Sequence, residues 1–282
     1  ADPSDDAYNW QRTDIILDGL EERGIAPIVS FSQTPGWANG SNAPEWVAGI
    51  DDYGAFVRAF ATRYSGSGHA LVRLYEPWNE PNNAAMLMPQ WEGAGASAKL
   101  VAAETYAQML ARATSDIREV TPDAAVIGLG LADIDQSAPG IGGSSVADFI
   151  AALVPLTPRL TLVSQHLQPT DAPGVASTRV PSLGGFDRYL AALDTLAPNA
   201  DVLITAVGYA TSPGGLTDAQ QATSTTQTMT TLARQPRVRL AIWYSLQDTF
   251  ERPAGLLRTD GTEKPAWNAF AGSRKSIPSE RP

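Results

Sequence analysis

A chain of 282 residues, 43% hydrophobic and 18% charged, has the length and apolar content of one large α/β domain and is not a disordered chain. A formal net charge of −10 with no basic patch argues against a nucleic-acid partner and fits a neutral ligand such as a carbohydrate. Without cysteine there are no disulfides or thiolate metal sites, and His69 and His166 are too few for a histidine-rich one; no metal or organic cofactor is implied.

The polar start, ending at Tyr8 and Trp10, gives way near Thr13 to an amphipathic helix that Gly24 should stop. Ala-Pro-Ile-Val-Ser-Phe-Ser then reads as a strand, with Gln33 and Trp37 in the loop beyond it. A helix from about Asp51 to Tyr64 and a Ser-Gly-Ser-Gly-His loop, where His69 is structural or solvated, lead to a second strand at residues 74–82. A long Ala-rich helix is expected from Ser97, as its N-cap, to Val120. Strands at 124–130, 161–168, 201–209 and 240–247 alternate with helices at 146–154, 185–196 and 217–234, and a closing helix carries Trp267 and Phe270. Such alternation implies a parallel sheet with right-handed crossovers. The apolar runs are strand-sized, with neither a signal peptide nor a membrane span in view, and a mature secreted protein would look the same.

Residues 74–82, Leu-Tyr-Glu-Pro-Trp-Asn-Glu-Pro-Asn, begin as a β-prone run and end in a turn forced by Pro81 and Asn82. They read as a buried strand that delivers Glu80 to a rim. Extended geometry would put Glu76, Trp78 and Glu80 on one face. Isolated buried carboxylates are costly, so two of them beside an indole point to a site. Asn79 adds an amide suited to a sugar hydroxyl or to orienting an acid.

Trp-Asn-Glu-Pro-Asn resembles the acid/base strand of the clan A glycoside hydrolases. The fuller Tyr-Glu-Pro-Trp-Asn-Glu-Pro-Asn is most similar to family 39, with family 5 second. The resemblance implies a (β/α)8 TIM-type barrel of a single catalytic domain spanning 1–282. It also implies a retaining glycosidase whose acid/base, Glu80, protonates the leaving oxygen and then deprotonates the incoming water. The six strands correspond to the third through eighth of that barrel, so the first two lack a counterpart, and the domain is expected either to lack N-terminal strands or to fill their place with another segment. A secreted location is slightly favoured over a cytoplasmic one by the same analogy.

A retaining enzyme needs a second carboxyl about 5 Å from the first. In clan A it closes the seventh strand, and Leu-Ile-Thr-Ala-Val-Gly matches the family's Ile-Thr-Glu-x-Gly except that Ala206 stands at the nucleophile position. A methyl group cannot attack an anomeric carbon, so this form should bind sugar with turnover nearly lost. The intact flanks favour a Glu-to-Ala replacement made to hold substrate. A natural carbohydrate-binding pseudoenzyme and a displaced nucleophile are the alternatives, and a transglycosidase, with Trp37 and Trp91 as acceptor candidates, is a third activity.

His166 ends the sixth family strand, where relatives carry His-x-Tyr; Gln168 replaces that Tyr here. His166 is expected to line the pocket. Trp243, on the eighth, matches the indole that floors the sugar subsite, and Trp37 is expected as a subsite wall. Trp46, Trp91, Gln33, Gln165 and Gln247 are lesser candidates.

Overall fold

The computed structural model describes residues 2–140, 142–157, 160–167, 183–212, 216–250 and 252–274. In chain order these contain α1 (Gln11–Glu21), β1 (Ile28–Ser30), α2 (Ile50–Arg63), β2 (Leu74–Glu76), β3 (Trp91–Glu92), β4 (Lys99–Leu100) and α3 (Ala102–Val120). There follow β5 (Ala125–Val126), β6 (Gly128–Leu131), α4 (Val146–Leu153), β7 (Leu162–Leu167), α5 (Phe186–Asp194), β8 (Asp201–Val207), α6 (Asp218–Ala233), β9 (Val238–Trp243) and α7 (Pro265–Arg274). All pairs are parallel except β3 with β4, a short antiparallel ladder in which Trp91 faces Leu100.

The order β1-β2-β5 runs through Ile127 into β6-β7-β8-β9, so the strands stand side by side in the order in which the chain makes them. The bonds Ile127 N–H to Tyr75 O (2.8 Å) and Glu80 N–H to Gly130 O (2.9 Å) carry the pairing across the β5/β6 break. The fold is that of the TIM-type α/β proteins, with helices outside the sheet.

Local chemistry explains the boundaries. Gly24 takes φ +66°, and the bonds Ile25 N–H to Leu20 O and Gly24 N–H to Glu21 O close α1 in a Schellman turn, as its position in the sequence anticipates. Thr217 and Gln220 form a reciprocal capping box at the start of α6, and the Ser145 hydroxyl accepts the Asp148 N–H at α4. Ser97 does not cap α3. It ends a 3₁₀ turn, the next residues pair with β3, and the helix starts at Ala102 behind Val101. The last strand lies earlier than expected, ending at Trp243 instead of Gln247. Gln168, the loop beyond it and the C-terminal tail lie outside the described residues.

The core between sheet and helices is aromatic at its start. Phe60 of α2 and Tyr64 just after it pack against Phe31, Tyr75 and Trp10, with ring centroids 4.6–6.2 Å apart in mostly tilted or edge-on arrangements. Arg63 and Tyr64 hold Asp14 of α1, at 2.6 and 2.8 Å for the guanidinium and 2.7 Å for the hydroxyl. That carboxylate bolts α1 to α2.

Candidate active site

β2 is extended only as far as Glu76. Beyond it the chain bends. Asn79 donates its N–H to Phe31 O at 2.9 Å, and Glu80 adopts φ +48°, a left-handed conformation that a non-glycine residue takes only when its surroundings hold it there. This corrects the expectation of one shared face. Trp78 bonds Met86 O through its indole N–H and lies edge-on to Tyr53 of α2, in the layer between sheet and helix. The Glu76 carboxyl is buried against Gly130, its Cδ 3.9 Å from where a β-carbon would stand, and Glu80 turns elsewhere.

Glu80 turns toward His166. Its Oε1 lies 2.9 Å from His166 Nδ1, and its Oε2 accepts a hydrogen bond from Asn83 Nδ2 at 2.9 Å. Both side chains are buried, about a tenth exposed. A carboxylate accepts only, so Nδ1 is the protonated ring nitrogen in this pair. Burial is the largest influence on the Glu80 pKa and raises it. The hydrogen bonds from His166 and Asn83, with attraction to His166 and Arg252, together outweigh it and leave the carboxyl below its ordinary value.

His166 belongs to β7, and its partner in the register with β8 is Ala206. The ladder shifts by one residue between Gln165 and His166, which leaves Thr205 unmatched and sets Ala206 beside the histidine. The expected acid/base, the expected pocket histidine and the expected nucleophile position therefore form a chain of neighbours at the C-terminal ends of β2, β7 and β8. Ala206 is buried and offers a methyl group there.

Asn79 is half-buried next to this chain. The two tryptophans differ in exposure. Trp243 is 6% exposed, gives its N–H to Ala254 O at 3.0 Å and packs near Tyr209 and Phe270, so most of its ring lies in the core. Trp37 is 77% exposed and lines a cavity of about 570 Å³ with Tyr8, Trp10, Phe31 and Phe56. Neither Glu80, His166 nor Ala206 lines that cavity. Trp91 donates to Gly142 O, and Gln165 Nε2 donates to Leu131 O and His166 O, so both brace backbone. His69 bonds Asp18 at 3.1 Å and ties α1 to the loop after α2, a structural role.

Sequence reasoning missed Asn83 and Arg252. Asn83 sits three residues past Glu80, and its N–H bonds Glu80 O, so a turn spacing after Pro81 was the available signal. Arg252 comes from the segment after β9 and carries no pattern of its own. The arrangement has one carboxyl that can exchange a proton and a histidine that orients it. Among the described residues no group of His, Cys, Asp and Glu is placed to hold a metal ion.

No protein-family model matches the sequence, and no curated protein matches it. Solved structures do. A monomeric β-xylosidase from Caulobacter crescentus CB15 is 20% identical, with a TM-score of 0.63 over 93% of this chain and 56% of that one. A family 39 glycoside hydrolase from the gut symbiont Bacteroides cellulosilyticus WH2 is 20% identical, with a TM-score of 0.64 over 96% and 55%. Xylanase 10B from Thermotoga maritima is 15% identical, with a TM-score of 0.61 over 98% and 82%. The chain thus spans little more than half the length of the first two, and at these identities the likeness is one of fold.

Proposed function

We propose that the chain has the site of a retaining glycoside hydrolase acting on a neutral glycoside or polysaccharide, with Glu80 as acid/base and Ala206 in the nucleophile's place. The observation that carries this reading is the Glu80–His166–Ala206 neighbourhood at the C-terminal strand ends, the rim where enzymes of this fold keep their chemistry. The structural neighbours that are xylosidases and xylanases support the reaction class.

The same site explains why this form should not turn over. A general acid must be protonated when substrate arrives, and a neighbouring nucleophilic carboxylate would raise the Glu80 pKa by repulsion. With a methyl at 206 that repulsion is missing, and the Glu80 pKa lies below its ordinary value. Both halves of the double displacement are then impaired, one for want of a nucleophile and one for want of a proton. A carbohydrate-binding protein is the second reading, favoured by the same ionised Glu80, which is a hydrogen-bond acceptor for a sugar hydroxyl.

The test is Ala206→Glu assayed on a panel of aryl glycosides, with the unaltered chain beside it in azide. Cleavage by the variant, and azide rescue of the unaltered chain with inverted product, is the expected result. Sugar binding without cleavage by either form would replace it with the binding reading.

A further inference from the structure

The cavity of about 570 Å³ that Trp37 lines has the size of a small-molecule site, which spans roughly 300–1,000 Å³. Much of its wall is a run of rings. The centroids of Tyr8 and Trp10 lie 4.9 Å apart, Phe56 of α2 stacks on Trp10 at 6.1 Å, and Phe31 meets Phe56 edge-on at 5.5 Å. Trp37 adds an indole on a loop that is itself well held. Thr34 N–H bonds Pro44 O at 2.8 Å, and the Asn39 amide donates to Ala43 O and Trp46 O at 3.0 and 2.9 Å. An indole kept 77% exposed by a braced loop offers its face to something other than the core.

The charge on the lining has one sign. Asp5 and Asp52 contribute carboxylates, and among the described residues no lysine, arginine or histidine lines the cavity. No ion pair among the described residues takes either of them, whereas Asp51, the residue before Asp52, binds Arg112 at 2.6 Å. Asp5 lies close enough to Tyr8 that its charge adds to burial in raising the Tyr8 pKa. Asp52 sits in the first turn of α2, where the helix dipole offsets part of its charge, so Asp5 is the stronger partner for a cation.

Aromatic faces are negative, and together with two unmatched carboxylates they complement a weakly hydrated organic cation. Trp10 already meets a cation outside the cavity lining, for Arg63 lies over its ring at 5.8 Å while bound to Asp14. An anion would meet the wrong sign here. A bare metal ion would find too few oxygen ligands in so aromatic a wall. We propose that this cavity binds an organic cation, a tertiary or quaternary ammonium group carrying a short apolar chain, with its alkyl head against Trp37 and the ring wall and its charge matched by Asp5 and Asp52. The net charge of −10 favours the approach of such a ligand. The inference stands apart from the assignment of Glu80, since none of Glu80, His166 and Ala206 lines this cavity.

Calorimetric titration of the chain with choline, with its uncharged analogue bearing carbon in place of nitrogen, and with xylose tests the proposal. Choline should bind saturably and roughly tenfold more tightly than the uncharged analogue, the order of preference that aromatic faces give a cation. Asp5→Asn should remove most of that preference and Asp52→Asn a smaller part, while Trp37→Ala should weaken both ligands. All three residues are exposed, so the variants should keep the melting temperature within about 2 °C and separate lost binding from lost fold. Equal affinity for choline and its uncharged analogue would reduce the site to an apolar hollow, and tighter binding of xylose would make it a sugar site. Either result overturns the proposal, as does the absence of saturable choline binding, or a choline affinity that Asp5→Asn and Asp52→Asn together leave unchanged.

Discussion

The imidazole of His166 and the carboxyl of Glu80 meet at 2.9 Å although β7, which holds His166, and β2, four residues ahead of Glu80, are not neighbours in the sheet. The positive φ of Glu80 makes the meeting possible, since it turns the side chain off the strand line and across the end of β6. Asn83 holds the other oxygen, so the carboxyl is fixed at both ends.

Removing Asn83 frees one of those ends. Asn83→Ala should raise the Glu80 pKa, because the lost hydrogen bond favoured the ionised form while burial, which opposes it, remains. Carbon-13 NMR titration of the Glu80 carboxyl reads this directly, and an unchanged or lowered value would contradict it.

In the Ala206→Glu background, Glu80→Gln should cut kcat on unactivated glycosides by roughly 10² to 10⁴, the usual worth of a general acid/base. Steady-state kinetics with aryl glycosides of graded leaving-group pKa check this. The loss should be smallest where the leaving group needs no proton.

Asp14 supplies an acid-sensitive bolt. Its pKa is lowered chiefly by the Arg63 hydrogen bond, so its stabilisation is complete above the ordinary carboxylate pKa and disappears as pH falls through the lowered folded value. Asp14→Asn should cost about 1 kcal/mol at pH 7, and less in acid below the ordinary carboxylate pKa. Urea unfolding at neutral and at acid pH measures it.

Lys264 is 2% exposed, and its Nζ lies 3.1 and 3.2 Å from the two oxygens of Asp248. Lys264→Met alone should destabilise by about 3 kcal/mol, because it leaves the half-buried Asp248 carboxylate without its cation and with the Gly255 N–H as a remaining donor, whereas Lys264→Met with Asp248→Leu should cost less. Chemical denaturation of both variants decides the order.

Gly208 leaves no room for a side chain, as a β-carbon there would stand 2.2 Å from Tyr244 O. Gly208→Ala must push the end of β9 away and should lower stability by about 2 kcal/mol. Thermal unfolding measures the cost, and fluorescence of the neighbouring Trp243 should report the displacement.

The alternation of elements was legible because apolar runs and Gly or Pro punctuation recur at strand and helix lengths, and Glu80 was legible because its motif is long. Trp78 was misplaced because period-2 alternation holds only while the chain stays extended, and it bends after Glu76. Ser97 failed as a cap because Lys99 and Leu100 pair with β3, an antiparallel contact two residues long that no periodicity announces. Trp243 read as a sugar platform by analogy alone, and its bond to a backbone carbonyl eleven residues on has no sequence signal. Arg252 acts on Glu80 through space from a loop without pattern, and spacing along the chain carries no trace of such a partner.

The buried amide of Asn82 accepts from Ala132 N–H and donates to Ala132 O and Ser144 O. It ties both ends of the intervening loop to the residue two past Glu80, as a drawstring closes the neck of a bag. Whatever happens to the length or composition of the arc beyond that knot, its feet stay where they are. The arc can therefore change in length while Glu80 keeps its place, whereas Asn82→Asp would exchange both donors for acceptors and loosen the arc and Glu80 together.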